Sequence, residues 1–229
     1  MIKTENAWLM FGDCLERMKE IPSGSVDMVL TDPPYGIDFQ SQRKKDKAEW
    51  MPKIANDKKP FTEFISEAGR CLSQDGCMVI FCRFDSWQSF ADECEQSGLL
   101  VKSQIVWDKV VHGMGDLKGA TALQHELALF VTKGRFRFPG KRQKSILQHM
   151  RVNPVDMVHP NEKPVTLMID LINGYTKPGD VVLDCFTGVC PVGVACAKTG
   201  RKFIGIELDP TYYGIACERI LTTPEAPTL

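Results

Sequence analysis

Val181-Val182-Leu183-Asp184-Cys185-Phe186-Thr187-Gly188-Val189-Cys190-Pro191-Val192-Gly193 is the stretch that decides the fold class. The turn Lys177-Pro178-Gly179-Asp180 launches a short buried strand over Val181–Asp184. A glycine turn follows, and then a helix. Pro191 suits its first turn, because the amide that proline lacks would have no partner there. Strand, tight turn and helix N-terminus make the nucleotide-side pocket of an open α/β sheet. The next strand, Phe203-Ile204-Gly205-Ile206-Glu207, closes on an acid. An acid about 20 residues beyond the turn accepts hydrogen bonds from ribose hydroxyls in such folds. The chain lacks G-x-G-x-x-G and carries nothing like a hydride-transfer site, which argues against a nicotinamide dinucleotide. A nucleoside ligand without a pyrophosphate needs fewer phosphate-facing amides, and S-adenosylmethionine is such a ligand.

Outward from this stretch the same alternation continues. Seven apolar runs read as strands: Trp8–Phe11, Val26–Thr31, Cys77–Cys82, Lys102–Trp107, Glu126–Thr132, Val181–Asp184 and Phe203–Glu207. Helical spacing lies between most of them, over Phe61–Leu72, Trp87–Ser97, Val165–Tyr175, Val192–Lys198 and Tyr212–Ile220. Alternating strands and helices predict one α/β domain over residues 1–229, with a mostly parallel sheet covered on both faces. The last two strands follow each other closely, which hints at one antiparallel hairpin.

The strand Val26–Thr31 ends in Asp32-Pro33-Pro34-Tyr35. Two prolines stiffen the backbone and remove two N–H donors. The Pro33 carbonyl and the Asp32 carboxylate are two acceptors beside the flat face of Tyr35. Such a cup suits the exocyclic amino group of a flipped-out adenine or cytosine. A strand ending in an ordinary Pro-Pro turn is the plainer alternative.

Apolar residues make up 43% of the chain, enough for a real core, and a net charge of -1 points to no partner by itself. No run approaches the ~20 apolar residues of a membrane span, and no signal-peptide core is visible. The nine cysteines are odd in number and lack C-x-x-C spacing, and the four histidines are dispersed. These features predict a reduced, cytoplasmic protein without disulfides or a metal site. Two segments fall outside the sheet pattern. Residues 40–59 are polar and lysine-rich, a solvated loop or a mobile cover for the neighbouring cup. Residues from about 133 to 158 carry Lys133, Arg135, Arg137, Lys141, Arg142, Lys144 and Arg151 with no acid before Asp156, and interleave Phe136 and Phe138. That pattern fits phosphate contacts with base stacking or wedging; a like-charged surface loop is the alternative.

Asp32-Pro33-Pro34-Tyr35, the Gly188 turn and Glu207 together resemble the amino-methylating DNA methyltransferases. The tetrapeptide comes first and the cofactor turn near the C-terminus, an order similar to the permuted beta class, small phage and prophage members included. The resemblance runs from about Trp8 to Ile220. It implies a seven-stranded methyltransferase sheet, S-adenosylmethionine as cofactor, double-stranded DNA as substrate and possible homodimers. It implies that Asp32, Pro33, Pro34 and Tyr35 are catalytic, and that Asp13 and Cys14 in Gly12-Asp13-Cys14 lie at the cofactor's adenine. His159, Asn161 and Lys163, from His159-Pro160-Asn161-Glu162-Lys163-Pro164, would open a helix beside its methionine end. Asp184, Phe186, Gly188 and Glu207 would surround the rest. The basic stretch falls where the family places its target-recognition region, with Arg135, Arg137, Lys141, Arg142 and Lys144 as DNA contacts and Gln143, Ser145, Gln148 and His149 as candidate base readers. In one respect the chain departs from the family: a second glycine of the cofactor turn is Cys190, whose Cβ costs room and left-handed freedom.

The implied reaction is direct attack of an exocyclic amine on the sulfonium methyl, with no covalent enzyme intermediate. Asp at the head of the tetrapeptide accompanies adenine in the family more often than cytosine. No Pro-Cys element follows the catalytic strand, which excludes carbon-5 chemistry. Amine or amide methylation in RNA or protein stays open, as does a nucleic-acid-binding relative weakened at Val189-Cys190-Pro191.

Overall fold

The computed structural model describes residues 1–36, 59–112, 118–119, 121–153 and 162–226. Within them nine strands form one sheet: β1 Ile2–Lys3, β2 Ala7–Phe11, β3 Val26–Thr31, β4 Leu72–Cys82, β5 Leu100–Asp108, β6 His125–Thr132, β7 Ile146–Gln148, β8 Val181–Asp184 and β9 Lys202–Glu207. Their order is β1-β2-β9-β8-β3-β4-β6-β5-β7. The expectation of seven strands is corrected by the two additions, β1 and β7. Each is only two or three residues long and pairs at a sheet edge. Runs that short carry no readable alternation. The hairpin also moves. It is formed by β5 and β6. The last two strands, β8 and β9, pair in parallel.

Among the described residues six α-helices pack around the sheet: α1 Cys14–Arg17, α2 Phe64–Cys71, α3 Trp87–Gln96, α4 Val165–Tyr175, α5 Pro191–Thr199 and α6 Pro210–Thr222. Strand β4 shows why both faces need cover. Cys77, Val79 and Phe81 enter the core beside α4 and α5, while Met78, Ile80 and Cys82 enter the core beside α2 and α3. A strand buried on both faces reads as one continuous apolar run. Helix α2 begins later than its periodicity suggests, because Phe61 turns its ring onto Phe64 and packs perpendicular to Phe186. All nine cysteines are free thiols. No helix among the described residues is long and apolar enough to cross a membrane.

Topology fixes where a ligand can sit. From β3 the chain moves to β4 on one side, and from β8 it moves to β9 on the other. The sheet therefore reverses its winding between β3 and β8, which pair in parallel. Crevices at such a switch point open at the carboxyl ends of the strands. Asp32 follows β3 there, and Asp184 closes β8 there.

Candidate active site

A cavity of about 320 Å³ opens at this switch point and is lined by both halves of the sequence pattern. Asp13, Asp32, Lys163, Phe186, Gly188 and Glu207 all border it. Of the residues expected at the site, His159 and Asn161 lie outside the described residues, as does the loop 40–59 apart from Lys59.

The cofactor side is built on backbone amides. Gly188 sits at φ +52, a left-handed turn, and its N–H donates to Glu207 Oε2 at 2.6 Å. Asp209 N–H donates to Oε1 at 2.8 Å. A carboxylate offers about four lone-pair sites, so both oxygens keep capacity toward the cavity. Burial raises the Glu207 carboxyl above its ordinary range, against these amides. Asp13 caps α1 by accepting from Leu15 N at 2.9 Å. Burial, with Asp13 beside it, pushes the neighbouring Cys14 thiol up to about 12, so it stays protonated. Phe186 packs perpendicular to the rings of Phe61 and Phe64.

Cys190 resolves differently from the sequence expectation. Its φ of 66° is left-handed, as a glycine position demands. Its side chain, however, is fully buried in the core over Gly193, and the cavity is bordered by Val189, Pro191 and Val192 instead. The Cβ therefore takes no room from a ligand. What remains is backbone strain of about 1 kcal/mol. Arg219 braces the same turn, donating to Val189 O at 2.8 Å and to Glu162 at 2.7 Å.

Asp184 joins the two halves. It accepts from Thr31 Oγ1 at 2.8 Å and from Phe186 N at 3.1 Å. Burial raises its carboxyl to about 7, those two donors opposing the rise. The folded protein thus holds a proton that the unfolded chain releases near 3.8, and this group's contribution to stability falls as pH rises from there to about 7. Asp184→Asn, neutral throughout, is expected to flatten that slope. Thermal unfolding of both proteins between about pH 5 and about pH 8 checks it, and parallel slopes would refute it.

The Asp32 side differs from a simple cup. Pro34 O accepts from Phe61 N at 3.1 Å, and Tyr35 bridges to Pro60, which pins the turn. No donor among the described residues reaches the Pro33 carbonyl. Asp32, 26% exposed at its side chain, receives Lys163 Nζ at 2.5 Å on Oδ2 and the Tyr35 hydroxyl on Oδ1. Lys163 also reaches Glu126 at 3.1 Å, and Glu126 reaches Lys109 at 2.5 Å. Its ammonium lies over the Phe81 ring. Lys163 thus lies beside Asp32. Glu126 and Lys109 were missed from the sequence, where a strand-end acid and a loop lysine look like ordinary surface charges.

The basic stretch is spread along the molecule. Lys133 is structural, donating to Gly69 O and Leu72 O at 2.9 and 2.8 Å. Arg135 is tied by its backbone N–H to Asp75, at the end of the sheet opposite Asp32. Phe136 and Phe138, which flank Arg137, pack against Phe130 and Tyr175. Their rings belong to the core margin, which corrects the expectation of base stacking. Lys141, Arg142 and Lys144 are exposed on the approach to β7. Gln143 is held by Asp170, and Ser145 O accepts from Val106 N. Strand β7 runs parallel to β5 and delivers Gln148 and His149 to the same end of the sheet as Asp32. There Gln148 donates to Asp108 at 2.9 Å, and His149 meets Asp170 at 3.2 Å.

A doubly wound sheet with a ribose-type acid and a carboxylate–proline turn on one switch-point cavity defines a nucleoside-cofactor group-transfer enzyme. The chain belongs to the N6/N4 DNA methylase family, whose model matches residues 26–218. It is 31% identical over 220 residues to YubD of Escherichia coli (strain K12), named as a methylase, covering 94% of this chain and 90% of that one. It is 25% identical over 252 residues to the DNA adenine methyltransferase YhdJ of the same organism, covering 93% and 82%. Among solved structures it superposes on the M1.HpyAVI–SAM complex with a TM-score of 0.72 and 26% identity, covering 93% and 99%. The protein is an S-adenosylmethionine-dependent DNA methyltransferase. The cavity fits that cofactor. Glu207 keeps free lone pairs, Gly188 brings backbone to the wall without a Cβ, and the volume lies within the ordinary range for small-molecule sites.

Proposed function

We propose that this enzyme methylates the exocyclic N6 of an adenine flipped out of double-stranded DNA. The observation that carries the reading is that Asp32, with the Pro33 carbonyl beside it, borders the same cavity as Glu207 and Gly188. The cofactor supplies a sulfonium methyl. Asp32 and Pro33 accept the two N–H groups of the amine and turn its lone pair toward that methyl. Transfer would form the N–CH3 bond as the S–CH3 bond breaks, with Asp32 and water positioned to take the surplus proton from the nitrogen. Catalysis of this kind is orientation and electrostatics, for which good positioning supplies ~7–11 kcal/mol. Tyr35 sits beside the base with its hydroxyl on Asp32, so its ring edge is held while its face meets the base. Asp32 at the head of the tetrapeptide and the likeness to YhdJ favour adenine over cytosine N4.

The order of tetrapeptide and cofactor turn supports membership of the permuted beta class, at work in the cytoplasm of a bacterium or a phage-infected cell, with or without a cognate restriction enzyme. The duplex lies across the end of the sheet where Gln148 and His149 emerge, with Lys141, Arg142 and Lys144 toward flanking phosphates. A second subunit would extend so short a recognition region, and the mass in solution tests that.

Labelled S-adenosylmethionine and unmethylated genomic DNA, followed by nucleoside analysis, test the reading. N6-methyladenine is expected. N4-methylcytosine would replace the base, and label in RNA or protein alone would overturn the DNA substrate. In the same binding buffer, neutralising Lys141, Arg142 and Lys144 is expected to flatten the salt dependence of DNA binding, while neutralising Arg135 and Arg137 leaves it unchanged.

A further inference from the structure

Four charges of alternating sign form a chain that ends at Asp32, on the wall of the cavity. Lys109 meets Glu126 at 2.5 Å, Glu126 meets Lys163 at 3.1 Å, and Lys163 meets Asp32 at 2.5 Å. Lys163 is the shielded member, with 6% of its side chain exposed, against 20% for Lys109, 26% for Asp32 and 28% for Glu126. Four separate segments supply the four charges: the turn after β3, the end of β5, strand β6 and the segment before α4. A surface ion pair contributes little, but a pair withdrawn from water is strongly coupled, and losing one member strands the other.

We infer that Lys163 and Glu126 are positioning residues for methyl transfer: Lys163 holds the Asp32 carboxylate ionised and aimed, and Glu126, by sharing Lys163, keeps that carboxylate basic enough to accept the amine. This inference rests on the reading of Asp32 given above. With Lys163 alone on it, a carboxylate would be tightly held and a poor acceptor for a neutral N–H. With no lysine it would take up a proton and stop accepting altogether. Sharing the ammonium between two carboxylates sets the balance.

The groups around Asp32 support the signs. Its own turn supplies Tyr35, β6 supplies Glu126, the segment before α4 supplies Lys163, the end of β4 supplies Cys82 and the end of β8 supplies Asp184. Burial raises the Asp32 carboxyl; Lys163 and the Tyr35 hydroxyl lower it, and Glu126 raises it. Burial opposes the charge on Lys163, but the two carboxylates outweigh it and keep the ammonium protonated. Glu126 is held below its ordinary range, because Lys163 and Lys109 outweigh its burial.

The test is carboxyl carbon-13 NMR of protein labelled at aspartate, with the Asp32 signal assigned by its loss in Asp32→Asn. The wild type, Glu126→Gln, Lys163→Gln and Lys163→Arg are compared. The Asp32 titration is expected to move to higher pH in Lys163→Gln, to lower pH in Glu126→Gln, and to stay near the wild type in Lys163→Arg. The acid limb of the kcat profile on DNA should follow the same order. Turnover near neutral pH should fall about tenfold for each pH unit by which the Lys163→Gln limb has passed the assay pH, and recover at higher pH. Shifts in one common direction, or none in variants whose spectra show folded protein, would overturn the inference. The NMR titration needs no activity, so a wild type that fails to methylate DNA would remove the functional reading and leave this measurement decisive for the charge relay.

Discussion

Asp32→Ala is expected to cut methyl transfer by on the order of a thousandfold while the affinity for S-adenosylmethionine stays near that of the wild type. On the proposed reading the variant removes one of the two acceptors that turn the amine toward the methyl group. It leaves the Gly188 turn and Glu207 in place, because those hang on β8 and β9, on the other side of the switch point. Lys163 keeps Glu126 as a partner, so the ammonium is not stranded. Asp32→Asn preserves the shape and one acceptor oxygen, and should lose less. Transfer to unmethylated DNA and calorimetric titration of the cofactor, run on the same preparations, check both halves of the statement. Loss of cofactor binding in Asp32→Ala would mean that the acceptor and the cofactor wall are not separable.

Glu207→Ala should produce the opposite split, with cofactor binding weakened roughly a hundredfold and turnover recovering at saturating cofactor. Two effects add. On the proposed reading the ribose hydroxyls lose their acceptor, and the N–H groups of Gly188 and Asp209 lose theirs. Leaving a buried donor unpaired costs about 1–3 kcal/mol. Glu207→Gln keeps one acceptor oxygen and should fall between. Calorimetry with S-adenosylmethionine and the dependence of rate on cofactor concentration measure the effect. An unchanged affinity would place the ribose elsewhere in the cavity.

Much of this architecture was legible along the chain. Val26–Thr31 and Val181–Asp184 are strands at the bounds their apolar runs suggest, and Val165–Tyr175 is a helix at the bounds of its periodicity. A strand buried on both faces needs an unbroken apolar run, so burial writes itself directly into neighbouring residues. The acid of β9 and the glycine turn after β8 were legible for the same reason: one turn geometry needs one residue type at one place. Edge strands β1 and β7 were not, since two or three residues establish no period.

Other features needed the assembled molecule. Cys190 occupies a glycine conformation, and the sequence suggested that its side chain would crowd the cofactor. Packing over Gly193 decides which way the thiol points, and it points into the core. Phe136 and Phe138 look like base-stacking rings between arginines until Phe130 and Tyr175 cover them. Lys163 and Asp32 are 131 residues apart in the chain, and no local pattern pairs them. The sequence by itself determined the seven longer strands and the turn types at the site, because those follow from interactions among near neighbours. Only the tertiary structure decided that Asp32, Lys163 and Glu126 share charge at one end of the sheet. That pairing arises where three distant segments exclude water together, and a buried charge must then find its partner across the fold.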